Sequence, residues 1–391
     1  MRLILEKRAG QSRLYSFLSP VLALLLTFVA GAIMFTMLGK NPLQGLFTYF
    51  VQPILDPWLR EQIIVKATPL ILIAVGLSIC FRSANWNIGA EGQYLMGGMM
   101  GAMIPVYFNT WDSALVLPLV LIMGMIGGAL YAAIPALLKA RFNTNEILTS
   151  LMLVYVAQQF VDWLVRGPWR DPKGFGFPGT KSFNEAAILP DVVTGGDAHW
   201  GSVMAIVAAV ALWFLLSRTL KGFEVTVIGQ SPRAGRFAGF SAAKMTIFAF
   251  LVSGALAGLA GIAEVSGSVG KLDDKLSLGY GFAAIIVAFL GRLNPLAIVV
   301  AGFILALSYI GGEEAQISMG VSDRATRVFQ GLLLFFVLAC DTLINYRMSI
   351  GRTPKTVNPQ RHRPHSPSSG GDHPAATVAV TARGHSAGMD G

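Results

Sequence analysis

Apolar stretches of about 20 residues recur along the first 345 positions of this chain, each long enough to cross a roughly 30 Å hydrocarbon core. No other feature restricts the fold so strongly. Only 13% of the 391 residues are charged, where a soluble domain carries about a quarter, so the chain reads as an all-α polytopic membrane protein. The 43 glycines fit close helix packing in lipid, where small residues let backbones approach. Gly254-Ala-Leu-Ala-Gly258-Leu-Ala-Gly261 sets such residues along one helical face, a packing feature that needs no further role.

The runs fall at roughly 20–38, 64–81, 88–108, 114–138, 146–165, 201–217, 246–265, 279–291, 295–311 and 326–345. About ten crossings are therefore expected, with 279–291 short enough to be a half-helix or re-entrant element. The first run follows Arg2, Lys7, Arg8 and Arg13, but it is long and lacks a small-residue cleavage site, so it is expected to stay as a membrane helix. Lysine and arginine placement sets the orientation. With the N-terminus inside, Lys139, Arg141, Arg218, Lys221, Arg233, Arg236, Lys244, Arg292, Arg347 and Arg352 all fall in cytoplasmic segments. The long 166–200 loop then lies outside, its basic residues matched by Asp171, Glu185, Asp191 and Asp197. An even number of crossings returns the C-terminus to the cytoplasm. The membrane domain is expected over 1–352. Residues 353–391, with scattered proline, histidine, serine and glycine, read as a disordered cytoplasmic tail.

No catalytic constellation is present. Gly267-Ser-Val-Gly-Lys271 has the wrong spacing for a phosphate loop, and Leu272 stands where Ser or Thr belongs. The chain is therefore expected to bind no cofactor; if transport is ATP-driven, ATP and Mg sit on another polypeptide. Cys80 and Cys340 stand alone at the ends of apolar runs, and no Cys/His cluster suggests a metal. The net charge of +9 is spread over short loops and the tail, which does not suggest a nucleic-acid partner.

Polar residues within or beside the runs are the candidates for a solute path. Arg82-Ser-Ala-Asn85-Trp-Asn87-Ile-Gly89-Ala-Glu91-Gly92-Gln93 joins two apolar runs without a typical loop. Asn85, Asn87, Glu91 and Gln93 either line a broken helix at membrane depth or cap a tight cytoplasmic turn. Asn145 and Glu146 open the next cluster, where Asn145 or Thr144 would cap the helix and Glu146 would suit its N-terminal dipole. Gln158 and Asp162, four apart, share a face further along that run. Glu264, Ser266 and Ser268 close a later run in the same manner. This inventory suits a polar, uncharged, hydroxyl-rich solute better than ion coupling.

Residues 218–245 form a basic, polar break between apolar stretches. Ser231 and Pro232 are a helix-start pair, followed by Arg233, Ala234, Gly235, Arg236, Phe237 and Ala238, with Gly239 at the expected stop. A helix of under two turns cannot hold itself in water and needs a surface to dock on. An ordinary positively charged inside loop is the alternative.

Taken in order, Asn87-Ile-Gly-Ala-Glu-Gly-Gln93, Asn145-Glu146-Ile with Thr149-Ser-Leu-Met-Leu153, and Gly229 to Gly239 resemble the permeases of the branched-chain amino-acid/simple-sugar/nucleoside group of ABC importers, most of all the nucleoside and simple-sugar members. The likeness covers about residues 13–350. It implies a multi-pass subunit of a bacterial inner membrane that pairs with a second, related permease or with another copy of itself. Separate ABC ATPase subunits would drive it, and an extracytoplasmic substrate-binding protein would deliver a nucleoside or sugar. By the same likeness Ser231, Pro232, Arg233, Ala234, Arg236, Phe237, Ala238 and Gly239 would form the ATPase-coupling helix. A stand-alone secondary carrier or channel for a small polar solute is the competing class, and it has no need of that helix.

Overall fold

The structure, a computed structural model, describes residues 2–7, 13–192 and 195–351; the tail read as disordered lies outside them. The described chain forms two units. In the smaller, strands β1 (Arg2–Lys7) and β2 (Tyr346–Gly351) pair as a two-stranded sheet. The larger unit is helical.

Its helices are α1 (Arg13–Met37), α2 (Pro42–Phe50), α3 (Gln52–Leu55), α4 (Pro57–Arg82), α5 (Ala90–Tyr107), α6 (Val116–Phe142) and α7 (Glu146–Arg166). After the long loop come α8 (Gly201–Arg218), α9 (Leu220–Gln230), α10 (Pro232–Phe237), α11 (Ala242–Ala263), α12 (Tyr280–Leu290), α13 (Pro295–Met319) and α14 (Asp323–Asn345). Among the described residues, six helices are long and apolar enough to cross a membrane: α4, α6, α7, α8, α13, and α11 with the π turn that prolongs it over Glu264–Val269. α12, at 11 residues, is a shorter apolar helix, as expected for the 279–291 run. The polar break at 218–245 holds more order than its composition suggests, because α9 precedes the short helix there. Thr219 caps α9 through its hydroxyl, which accepts from the Gly222 amide.

α11 packs against α4, α5 and α6. The glycine face explains how closely. A methyl group on Gly258 would strike the Gly124 carbonyl and the backbone of Gly128 on α6, and one on Gly97 of α5 would strike Gly258. With no solvophobic drive between helices in lipid, this backbone contact is what holds three helices together.

The 166–200 loop is tied down by its own backbone. Thr180 donates to the Leu272 carbonyl at 2.8 Å, Phe183 to Gly270 at 2.8 Å and Leu189 to Ser266 at 3.0 Å. His199, almost fully buried, accepts from the Gly201 amide at Nδ1 and meets the Ser268 hydroxyl at Nε2, 3.3 Å away.

Candidate functional site

The short helix forms where the sequence places its signals. Ser231 is extended, and its hydroxyl accepts from the Ala234 amide at 3.4 Å; Pro232 supplies the first helical residue. Gly239, with φ +81, takes the left-handed turn that releases the chain, donating to the Arg236 carbonyl at 3.0 Å. Gly235 is the buried residue of α10 and rests on Ile228 of α9, so the helix lies back against its predecessor. Arg233, Ala234, Arg236, Phe237 and Ala238 all face outward, and Phe237 is 95% exposed. Neither arginine makes an ion pair among the described residues. An exposed apolar ring on the same short helix as two exposed guanidiniums is an arrangement that a complementary surface would complete.

α9 in turn touches the end of α4. Gly229 lies so close to the Arg82 carbonyl that no side chain would fit between them. From Arg82 the chain leaves helical geometry: Ser83 caps α4, Ala84 has φ +55, and α5 begins only at Ala90. Its asparagines, Asn85 and Asn87, are buried beside α11, while Ala84 and Trp86 are exposed. Asn85 accepts from the Thr246 hydroxyl at 2.9 Å, while Asn87 donates to Ser253, two turns further along the same helix, at 3.1 Å.

The path candidates divide into separate networks. Asn87 and Gln93 hold each other through both amide groups, at 3.0 Å each way, and both are buried. Asn85 also accepts from Lys139, whose ammonium reaches Glu146 at 2.5 Å. Glu146 therefore faces the end of α6 as well as the start of its own helix, and it accepts from the Trp86 amide at 3.4 Å. Asn145 caps α7, accepting from Ile147 and Leu148, and stands on the exposed side.

Glu91 belongs elsewhere. Its carboxylate accepts from the Gly279 amide at 3.0 Å, the Gly281 amide at 2.5 Å and the Ser277 hydroxyl at 3.1 Å. The two amides are free donors at the start of α12, where this short helix presents its positive end inside the protein. Gln158 joins by donating to Ser277 at 2.9 Å. Asp162 pairs with Arg166 at 2.6 Å, which reaches Asp274 at 2.8 Å, so the α12 entry is strapped to α7 from two sides. Gln158 and Asp162 line one groove with Ser277 and Asp274.

A second polar site escapes sequence reading. A cavity of about 160 Å³ lies among α4, α12, α13 and α14, lined by Lys66, Tyr280, Tyr309 and Glu313 among others. The available signal was an ionisable residue within an apolar run at Lys66, and one just past the end of a run at Glu313.

Residues 59–338 match the family described as branched-chain amino acid transport system / permease component. The glucose ABC transporter permease protein TsgB13 of Haloferax volcanii is 35% identical over 342 residues, covering 85% of this chain and 90% of its own. The guanosine ABC transporter permease protein NupP of Bacillus subtilis is 30% identical over 331 residues, 83% of this chain and 94% of its own. The nucleoside ABC transporter permease protein NupB of Lactococcus lactis subsp. cremoris is 28% identical, covering 82% and 90%. The chain thus belongs to the branched-chain amino acid transport system permease family and is a multi-pass membrane permease of the ABC-transporter type.

Proposed function

We propose that this permease imports a nucleoside or a simple sugar, driven by separate ABC ATPase subunits that grip α10. The exposed face of α10 carries the reading: a capped six-residue helix that presents Phe237 together with Arg233 and Arg236 is built for a partner's cleft. Phe237 fills an apolar recess on the ATPase, and the arginines meet carboxylates or carbonyls beside it. Closure of the ATPases pushes α10 against α9, and Gly229 passes the push to the end of α4 at Arg82. ATP and Mg belong to the ATPase. A second permease, related or identical, completes the pathway, and an extracytoplasmic binding protein delivers the solute.

Ten crossings with both termini and α10 on the cytoplasmic side of a bacterial inner membrane agree with the lysine and arginine placement. The solute class rests on the relatives named for glucose, guanosine and nucleosides. Uptake of radiolabelled guanosine, uridine and glucose into cells with and without the chain, with the proton gradient collapsed and ATP maintained, tests this reading. Chain-dependent uptake that persists supports it. Uptake that vanishes with the gradient identifies a secondary carrier instead.

A further inference from the structure

We infer that Lys139 is the positioning residue through which movement of α10 reaches α6 and α7, so that its ammonium links ATP hydrolysis on the partner to solute passage. The inference rests on the import function proposed above and adds the residue that joins the docking region to the membrane helices.

The route starts where α9 meets α4. A side chain on Gly229 would strike the Arg82 carbonyl and lie 3.2 Å from Ser83 Cα, so α9 bears directly on the end of α4. Asn85 folds back over that point. Its side-chain amide donates to the Ser83 hydroxyl at 2.8 Å and to the Ser83 carbonyl at 3.2 Å, and its backbone amide donates to the Cys80 carbonyl at 2.9 Å. A shift of the α4 end therefore carries Asn85 with it. Asn85 Oδ1 in turn accepts from the Lys139 ammonium at 2.8 Å and from the Thr246 hydroxyl of α11 at 2.9 Å.

Lys139 spans acceptors on two different elements. Besides Asn85 it reaches Glu146 Oε1 at 2.5 Å, the same oxygen that accepts from the Trp86 amide. A plain corner brace between α6 and α7 is the ordinary role of such a pair, with each charge well placed for its own helix dipole. Yet residues 143–145 already join those helices, so their adjacency needs no ammonium. What Lys139 adds is attachment of the corner to residues 83–89, through a donor that charge pairing leaves to spare. The attachment continues one turn along α7, where the Ser150 hydroxyl accepts from the Ile88 amide at 3.3 Å.

Burial gives these bonds weight. Asn85 is buried, and the Lys139 and Glu146 side chains are only 22% and 13% exposed, so the link is partly shielded from water, unlike a surface ion pair. α6 is also locked to α11 by the backbone contact of Gly258 with Gly124 and Gly128. A displacement delivered to Lys139 thus moves a packed unit and is not lost in one side chain.

The test uses the complete transporter, with its ATPase and partner subunits, in proteoliposomes supplied with internal ATP. Uptake of guanosine and of glucose, and solute-stimulated ATP hydrolysis, are measured per folded transporter. Lys139→Met keeps the apolar stem and removes the ammonium. It should lower uptake and stimulated hydrolysis about tenfold, a usual size for coupling between sites, with ATPase association and basal hydrolysis as in wild type. Lys139→Arg keeps a cation with several donors and should recover most of the uptake. Asn85→Ala should lower uptake by a similar factor, and the two changes together by no more than either alone, because both cut one link. A roughly hundredfold loss in the double variant means independent roles and overturns the coupling role. Full uptake by Lys139→Met, the result for a brace that only supports the fold, overturns it as well. So does loss of ATPase association along with uptake, which would make Lys139 a support of the docking face. Each of these leaves the import function standing. If wild type moves neither solute, the import function fails and the coupling role with it.

Discussion

Two polar regions of this permease treat their side chains in opposite ways. Around α10, Arg233, Arg236 and Phe237 face outward, with no ion pair or ring contact among the described residues. Around the start of α12, Glu91 is fully engaged by Gly279, Gly281 and Ser277, and Gln158 holds the same serine from α7. The first region is cheap to alter for the fold and costly for a partner; the second is the reverse. Polar residues in a membrane protein therefore indicate binding only where their bonding capacity is unspent, and elsewhere they position backbone.

Substitutions can break or sharpen this contrast, beginning with the backbone contact that frames it. Gly258→Val drives a side chain into α6 and should cost about 3 kcal/mol or more, seen as loss of folded protein in a thermal-unfolding assay of detergent-solubilised membranes. Glu91→Ala leaves the first donors of α12 without an acceptor and should cost about 2 kcal/mol by the same assay. A stability change no larger than that of an exposed residue would mean that Glu91 does not hold the half-helix.

His199 should give a smaller, pH-dependent effect. Burial lowers its pKa, opposed by Asp191, so the folded protein favours the neutral ring. The unfolded chain then takes up the proton first. Stability is full above a pH of about 6.5 and declines as pH falls below it. The melting temperature should fall on acidification in wild type and less so in His199→Gln; parallel curves would remove His199 from the account. Smallest of all, Phe237→Ala should shift stability by no more than about 0.5 kcal/mol, because the ring touches solvent.

The two regions also differ in how far they could be read from sequence. α10 was legible because its signals are local: Ser231, Pro232 and Gly239 act on neighbours a turn away. Six of the apolar runs were legible for the same reason, as helices long and apolar enough to cross a membrane, and α12 showed its shortness directly. What escaped was non-local. Ser277 gains meaning only when Glu91 and Gln158 converge on it, and Lys66 meets Glu313 only when α4 and α13 lie side by side. Asn85, Asn87 and Gln93 were visible as polar residues, but their mutual bonds and their contacts with Thr246 and Ser253 depend on α11, far away in the chain. α9 was hidden because its polar composition resembles the loop around it.

The central claim is that α10 is a docking element whose polar face is spent on a partner. Arg236→Glu, expressed with the complete transporter, tests it through two readouts taken together: co-purification of the ATPase and ATP-driven uptake. The account predicts that both are lost while the permease inserts and melts as wild type does. Retained ATPase association with normal uptake would contradict it, and α10 would then be an ordinary surface loop.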